Sequence, residues 1–130
     1  MNPGDVMYHK EHTWARVSGN KATVGITHYA QESLGDIVYI DEPETGTNVD
    51  AGTELTQIES TKATSSVISP VSGTVTEFNE ELSDAPEIIN EDPYGKGWIV
   101  KIDITDESQL KDLMDSTEYE KYLEEEVKLK

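Results

Sequence analysis

No cysteine occurs in this chain of 130 residues. Disulfides, thiol nucleophiles and thiolate metal sites are therefore excluded. Long apolar runs are missing too. No stretch approaches the roughly 18 residues that would cross a bilayer as a helix, and no segment has the basic start and apolar centre of a signal peptide. Positive charge is scarce: 10 Lys and Arg stand against 27 Asp and Glu, a net charge of −17. Such a chain repels phosphate backbones and anionic lipid, so nucleic acid and membranes are not expected as partners. A soluble, cytoplasmic monomer is the expectation, its acidity serving either docking to basic partners or solubility.

The shortage of cations is uneven. The 74 residues from Ala22 to Gly95 hold 15 carboxylates and a single Lys or Arg, Lys62. That residue stands in Glu59-Ser60-Thr61-Lys62-Ala63-Thr64-Ser65-Ser66, a small polar bend between two β-like runs. A lone amine on a tight turn suggests a handle for chemical modification. Amine catalysis is a poor fit, because a Schiff-base lysine needs an apolar pocket or a neighbouring cation. The neighbours here are a carboxylate and hydroxyls. A modified lysine needs exposure, small flanking side chains and rigid support, and the flanking strands supply the last.

At this length the chain fits one domain, able to bury about two-thirds of its unfolded surface. Trp14–Val17 and Ala22–Ile26 read as two strands joined through a Gly19-Asn20 turn. Thr27 is placed to cap a short helix over 28–34, with Gly35 to end it. Asp36–Ile40 is β-branched and aromatic, hence a strand, and Pro43–Gly46 is a turn. Leu55–Glu59 and Val67–Pro70 flank the lysine bend. Val71–Phe78 and Trp98–Ile102 are further strands, with a long loop over 83–97 between them. From Thr105 the spacing of Leu110, Leu113 and Met114 predicts helix, as does Tyr119, Tyr122, Leu123 and Val127 in a second piece. The first 13 residues are polar and weakly patterned. The expectation is a mainly β domain over 1–130, a small antiparallel barrel or sandwich with core 12–104 and a helical tail over 105–130.

Other constellations are weak. His9 and His12 lack a defined third ligand, and the acidic pairs near Asp41 and Glu91 lack the ordered spacing and glycine of a calcium loop. No phosphate loop, nucleophile elbow or Ser-His-Asp order occurs. No metal and no catalytic set are expected.

Seven segments taken together are specific: His12-Thr13-Trp14, Val24–Thr27, Tyr29–Glu32, Leu34–Val38, Glu59–Ala63, Ser69–Gly73, and Asn90–Gly95 with Gly97-Trp98. They resemble the H-protein family of the glycine cleavage system, the lipoyl carriers of that complex. The resemblance implies a barrel-sandwich hybrid fold and lipoate in amide linkage to Lys62, at a hairpin tip. It assigns Glu59 and Gly73, three residues before the lysine and eleven after it, to recognition by the attaching enzyme. It implies a non-catalytic carrier of glycine's aminomethyl group. The partners would be a pyridoxal-phosphate-dependent glycine decarboxylase, a tetrahydrofolate-dependent aminomethyltransferase and dihydrolipoamide dehydrogenase. A lipoate ligase or lipoyl/octanoyl transferase would attach the arm.

Two positions depart from the family pattern. Glu11-His12-Thr13-Trp14 stands where many members have Ser-His-Glu-Trp, and Ser66 where many have Asp. In the family these groups line the cleft that shelters the loaded arm. Glu11 would replace the carboxylate missing at Thr13 if 11–13 is extended, because residues two apart then share a face. An altered cleft leaves open a carrier for another pathway, such as sulfur oxidation or lipoyl relay.

Overall fold

Strands that alternate apolar and polar residues build two antiparallel sheets in a computed structural model that describes residues 3–128, with side chains described as far as Glu125. The larger sheet contains β1 (Met7–Tyr8), β2 (Thr13–Ser18), β3 (Lys21–Ile26), β5 (Asn48–Val49), β8 (Gly73–Phe78) and β9 (Val100–Ile104). Their order across it is β1-β2-β3-β9-β8-β5. The smaller contains β4 (Ile37–Ile40), β6 (Glu54–Ser60) and β7 (Thr64–Ile68), in the order β4-β6-β7. Neither sheet closes on itself, so this is a sandwich-like arrangement and not a closed barrel.

One apolar core fills the space between the sheets. Val24, Val75 and Ile102 enter it from the larger sheet, and Ile37, Ile58 and Val67 from the smaller. Strand β9 shows the rule most plainly: Val100, Ile102 and Ile104 are buried, while Lys101 and Asp103 between them stay half-exposed. Period-two side-chain alternation is what allows a sheet to bury one face only.

Helix α1 (His28–Leu34) begins at Thr27, whose Oγ1 accepts from Ala30 N at 3.2 Å, and ends at Gly35, as the sequence predicts. The long loop expected over 83–97 is partly helical. Two single turns, α2 (Glu81–Asp84) and α3 (Ile88–Glu91), lie in and beside it because Leu82 and Ile89 are drawn into the core. Beyond β9, a 3-10 turn over Glu107–Asp112 is capped by Asp106, and α4 (Ser116–Lys128) follows. Side chains at 126–128 lie outside the described part, so the expected place of Val127 does too.

The weakly patterned N-terminus is the main departure from expectation. Strand β1 pairs with β2, Tyr8 against Trp14, and bridges to Met114 on its other side. Tyr8 stacks on Tyr119 of α4 at 4.5 Å between ring centroids, and Val6, Trp14 and Tyr119 complete a second, aromatic core. Packed structure therefore begins before residue 12. Among the described residues no helix is long and apolar enough to cross a membrane.

Candidate functional site

Lys62 sits at the tip of the β6–β7 hairpin. The ladder runs up to Glu59 opposite Thr64, and Ser60 N donates to Ala63 O at 2.8 Å, which closes the turn. Ser60 does more than occupy space. Its Oγ accepts from Lys62 N and Ala63 N, each at 3.1 Å, and so clamps the backbone on both sides of the lysine. Serine hydroxyls stabilise turns in this way. Thr61 N donates to Asp36 O at 3.0 Å, tying the tip to the segment that leads into β4. The tip is thus held from two directions.

The lysine is exposed and forms no ion pair among the described residues. Its stem lies across Gly35: a Cβ built there would fall 3.0 Å from Lys62 Cε and 3.5 Å from Nζ. Gly35 has φ 80° and ψ −154°, backbone open almost only to glycine. Asn90 braces this corner. Its Nδ2 donates to Gly35 O at 2.8 Å and to Gln31 Oε1 at 3.0 Å, and its Oδ1 accepts from Ile37 N at 2.9 Å. Sequence reading left Asn90 without a role and gave Gly35 only that of a helix stop. A half-buried brace formed between residues more than fifty apart leaves no local signal.

Beside the hairpin opens a cavity of about 490 Å³. The turn before β2 forms one wall, α1 a second, and Ile58 with Ser65–Ile68 of the hairpin a third. Glu11 and Thr13, and Ser66 more than fifty residues on, all line it. Thr13 is 1% exposed, and its buried Oγ1 has no hydrogen-bond partner among the described residues. An unpaired buried hydroxyl costs on the order of 1–3 kcal/mol. Ser66 is already engaged: its Oγ donates to Glu54 at 2.5 Å, a bond that holds the Glu54 carboxyl below its usual range.

Glu11 reaches the cavity by a different route from the one expected. Residues 11–13 are not extended. His12 has φ 68°, and its N donates to His9 O at 2.9 Å within a turn closed by His9 N to Thr13 O. The period-two argument therefore fails, and the turn itself brings Glu11 to the cavity mouth. His12 contributes to the same wall. Its ring packs at a tilt against Tyr29, 4.7 Å between centroids, and its Nδ1 meets Tyr119 Oη at 2.8 Å. His9 Nδ1 accepts from Glu11 N. Among the described residues no three His, Asp or Glu side chains gather to hold a metal ion.

The remaining two predicted positions separate. Glu59 is exposed on the hairpin. Gly73 is buried at the start of β8, where a Cβ would collide with the backbone oxygen of Asp103 and with Ile102 Cγ2. Glycine is required there by the approach of β9.

Comparison with known proteins places this geometry in company. Residues 6–126 match the family described as Glycine cleavage H-protein. The chain is similar to the glycine cleavage system H protein of Carboxydothermus hydrogenoformans, 49% identical over 95% of each chain. It is 54% identical to glycine cleavage system H protein 4 of Aquifex aeolicus, over 94% of this chain and 71% of that one. A crystal structure of a glycine cleavage system H protein from Mycobacterium marinum superposes with a TM-score of 0.81 at 38% identity, covering 90% of this chain and 94% of that one.

Proposed function

We propose, on the premise that the chain belongs to the glycine cleavage H-protein family and is the carrier of that system, that Lys62 Nζ bears lipoate in amide linkage. The observation that carries this reading is the pairing of an exposed, clamped lysine with a cavity of about 490 Å³ beside it. The residues suit the group. The cavity offers Ile26, Leu34, Ile58 and Val67 to an acyl chain, and the exposed Glu11 and Ser66 to a polar end. When bound, lipoate supplies a reducible disulfide at the end of a long arm, on which glycine's aminomethyl group is carried.

The protein's own residues position and shelter. Ser60 and Asp36 fix the backbone at the tip, so freedom is confined to the lysine stem and what it bears. The Glu11 carboxylate meets a charged or polar arm end entering the cavity, and Ser66 Oγ, donating to Glu54, offers it an acceptor lone pair. Glu59, exposed beside the tip, is read by the attaching enzyme, a lipoate ligase or lipoyl/octanoyl transferase. The carrier is non-catalytic and cytoplasmic, a monomeric single domain over residues 1–130. It serves the glycine decarboxylase, the aminomethyltransferase and dihydrolipoamide dehydrogenase in turn, and tethering raises effective concentration at each.

Intact mass and peptide fragmentation after incubation with a lipoate ligase, lipoate and ATP test this. A lipoyl adduct on Lys62, its loss in Lys62→Arg, and glycine-dependent loading of the product are expected. An unmodified Lys62 beside a control lipoyl domain that is modified in parallel would overturn the reading.

A further inference from the structure

We propose that Val38 and Tyr39 form the docking contact for the enzyme that acylates Lys62, an acyltransferase presenting an apolar hollow ringed by basic side chains. The proposal rests on the reading of Lys62 as the acylated residue.

The sequence Ile37-Val38-Tyr39-Ile40 has the composition of a buried strand. A bulge in its pairing with β6, between Ile37 and Tyr39, breaks the alternation. Ile37 and Ile40 face the core, while both residues between them turn outward, Val38 53% exposed and Tyr39 51%. Among the described residues these are the exposed large apolar side chains. A single exposed apolar residue is ordinary, but two adjacent ones on a strand otherwise committed to the core form a patch.

The patch adjoins the lysine hairpin. Tyr39 lies opposite Glu59, and directly opposed residues of an antiparallel pair project from the same face. Asp36, two residues before Val38, accepts from Thr61 N, and Gly35 supports the Lys62 stem.

The chemistry at Lys62 selects the occupant. In acylation the carbonyl carbon of an activated lipoyl donor bonds to Nζ. The bond from that carbon to its leaving group breaks, the leaving group departs with the electron pair, and two protons leave the ammonium. The enzyme must therefore bring its reacting groups to the hairpin tip and lie against the tip's flank. Enzymes that act on the finished arm work at its far end, beyond Nζ, and have no such need to touch β4. The rim fixes the partner's charge: Asp36, Asp41 and Glu59 are all exposed around the patch, so its counterpart is basic.

The test is the rate of lipoyl attachment to the full chain by a lipoate ligase with lipoate and ATP, read by intact mass. The variants are Val38→Ser with Tyr39→Ser, and Val38→Lys alone. Both are expected to lower kcat/KM for attachment by about tenfold, the equivalent of about 1.4 kcal/mol of lost contact, through a higher KM. Tyr39→Phe should retain most of the rate. Once driven to full modification, the variants should be loaded and reoxidised like the wild type. Unchanged thermal unfolding of either variant secures the comparison. A wild-type chain modified at Lys62, with variants modified equally fast, would overturn the docking contact and leave the lipoyl reading standing. A wild-type chain that is not modified would remove the reading itself. Equal losses in attachment and in later transfer would assign the patch to the whole enzyme set and overturn the proposal.

Discussion

Gly35 meets two demands at one position. Its φ of 80° and ψ of −154° exclude side chains on backbone grounds, and the Lys62 stem passes over it. Gly35→Ala should cost about 1–3 kcal/mol of stability from backbone strain. The same change should slow acylation of Lys62, because Cε must shift from its rest. Chemical denaturation and a mass time course measure the two effects separately. His9 supports a second prediction. Burial pushes its imidazole below the usual value, with Glu11 opposing that shift. The folded ring thus resists a proton that the unfolded chain accepts, so stability falls as pH drops through the usual imidazole range. His9→Asn should flatten that part of the stability curve, a difference visible in unfolding midpoints taken across the range.

Among the elements, α1 and α4 are joined through one hydroxyl. Tyr119 Oη lies 2.8 Å from Thr27 Oγ1 and 2.8 Å from His12 Nδ1, so the cap of α1, the strained turn and α4 share a hydrogen-bonded chain. Thr27→Ala removes both the cap on Ala30 N and one of the partners of Tyr119, and should cost about 1–2 kcal/mol. Tyr119→Phe should cost about 1 kcal/mol. The double variant should lose less than the sum of the two, because the residues are in direct contact. Additive losses in urea unfolding would show that the chain carries no coupling. The elements at the lysine are joined as closely: β4 follows α1 directly and flanks β6, which is why Gly35, Tyr39 and Lys62 end up as neighbours.

The net charge of −17 acts on the molecule as a whole. Partners that approach it with basic surfaces are steered over distances near the Debye length, and salt removes that advantage. Glycine-dependent loading at limiting carrier concentration should therefore slow with rising ionic strength, while the rate at saturating carrier holds. Glu80 and Glu87, both exposed, belong to the stretch between β8 and β9 where carboxylates are dense. Glu80→Lys with Glu87→Lys should weaken the salt dependence. An unaltered salt dependence would assign the acidity to solubility alone.

The sequence by itself determined what depends on neighbours in the chain. The Gly19-Asn20 hairpin, the Thr27 cap, the stop at Gly35 and the lysine bend are local chemistry, in which turn and cap preferences act within a few residues. So are the alternating strands, because burial of one face imposes a period of two. Tertiary structure alone decided the rest. Met7–Tyr8 becomes a strand because Met114 and Tyr119, over a hundred residues on, cover it. The two helical turns near 81–91 form where Leu82 and Ile89 meet the core. Glu11 reaches the cavity through the turn at His12, the Thr13 hydroxyl is buried without a partner among the described residues, and Val38 with Tyr39 is turned outward by a bulge. Each of these depends on which distant surface arrives. The physical reason is common to all of them: solvent exclusion and shape are properties of assembled surfaces, and no window of the sequence contains both sides of a contact.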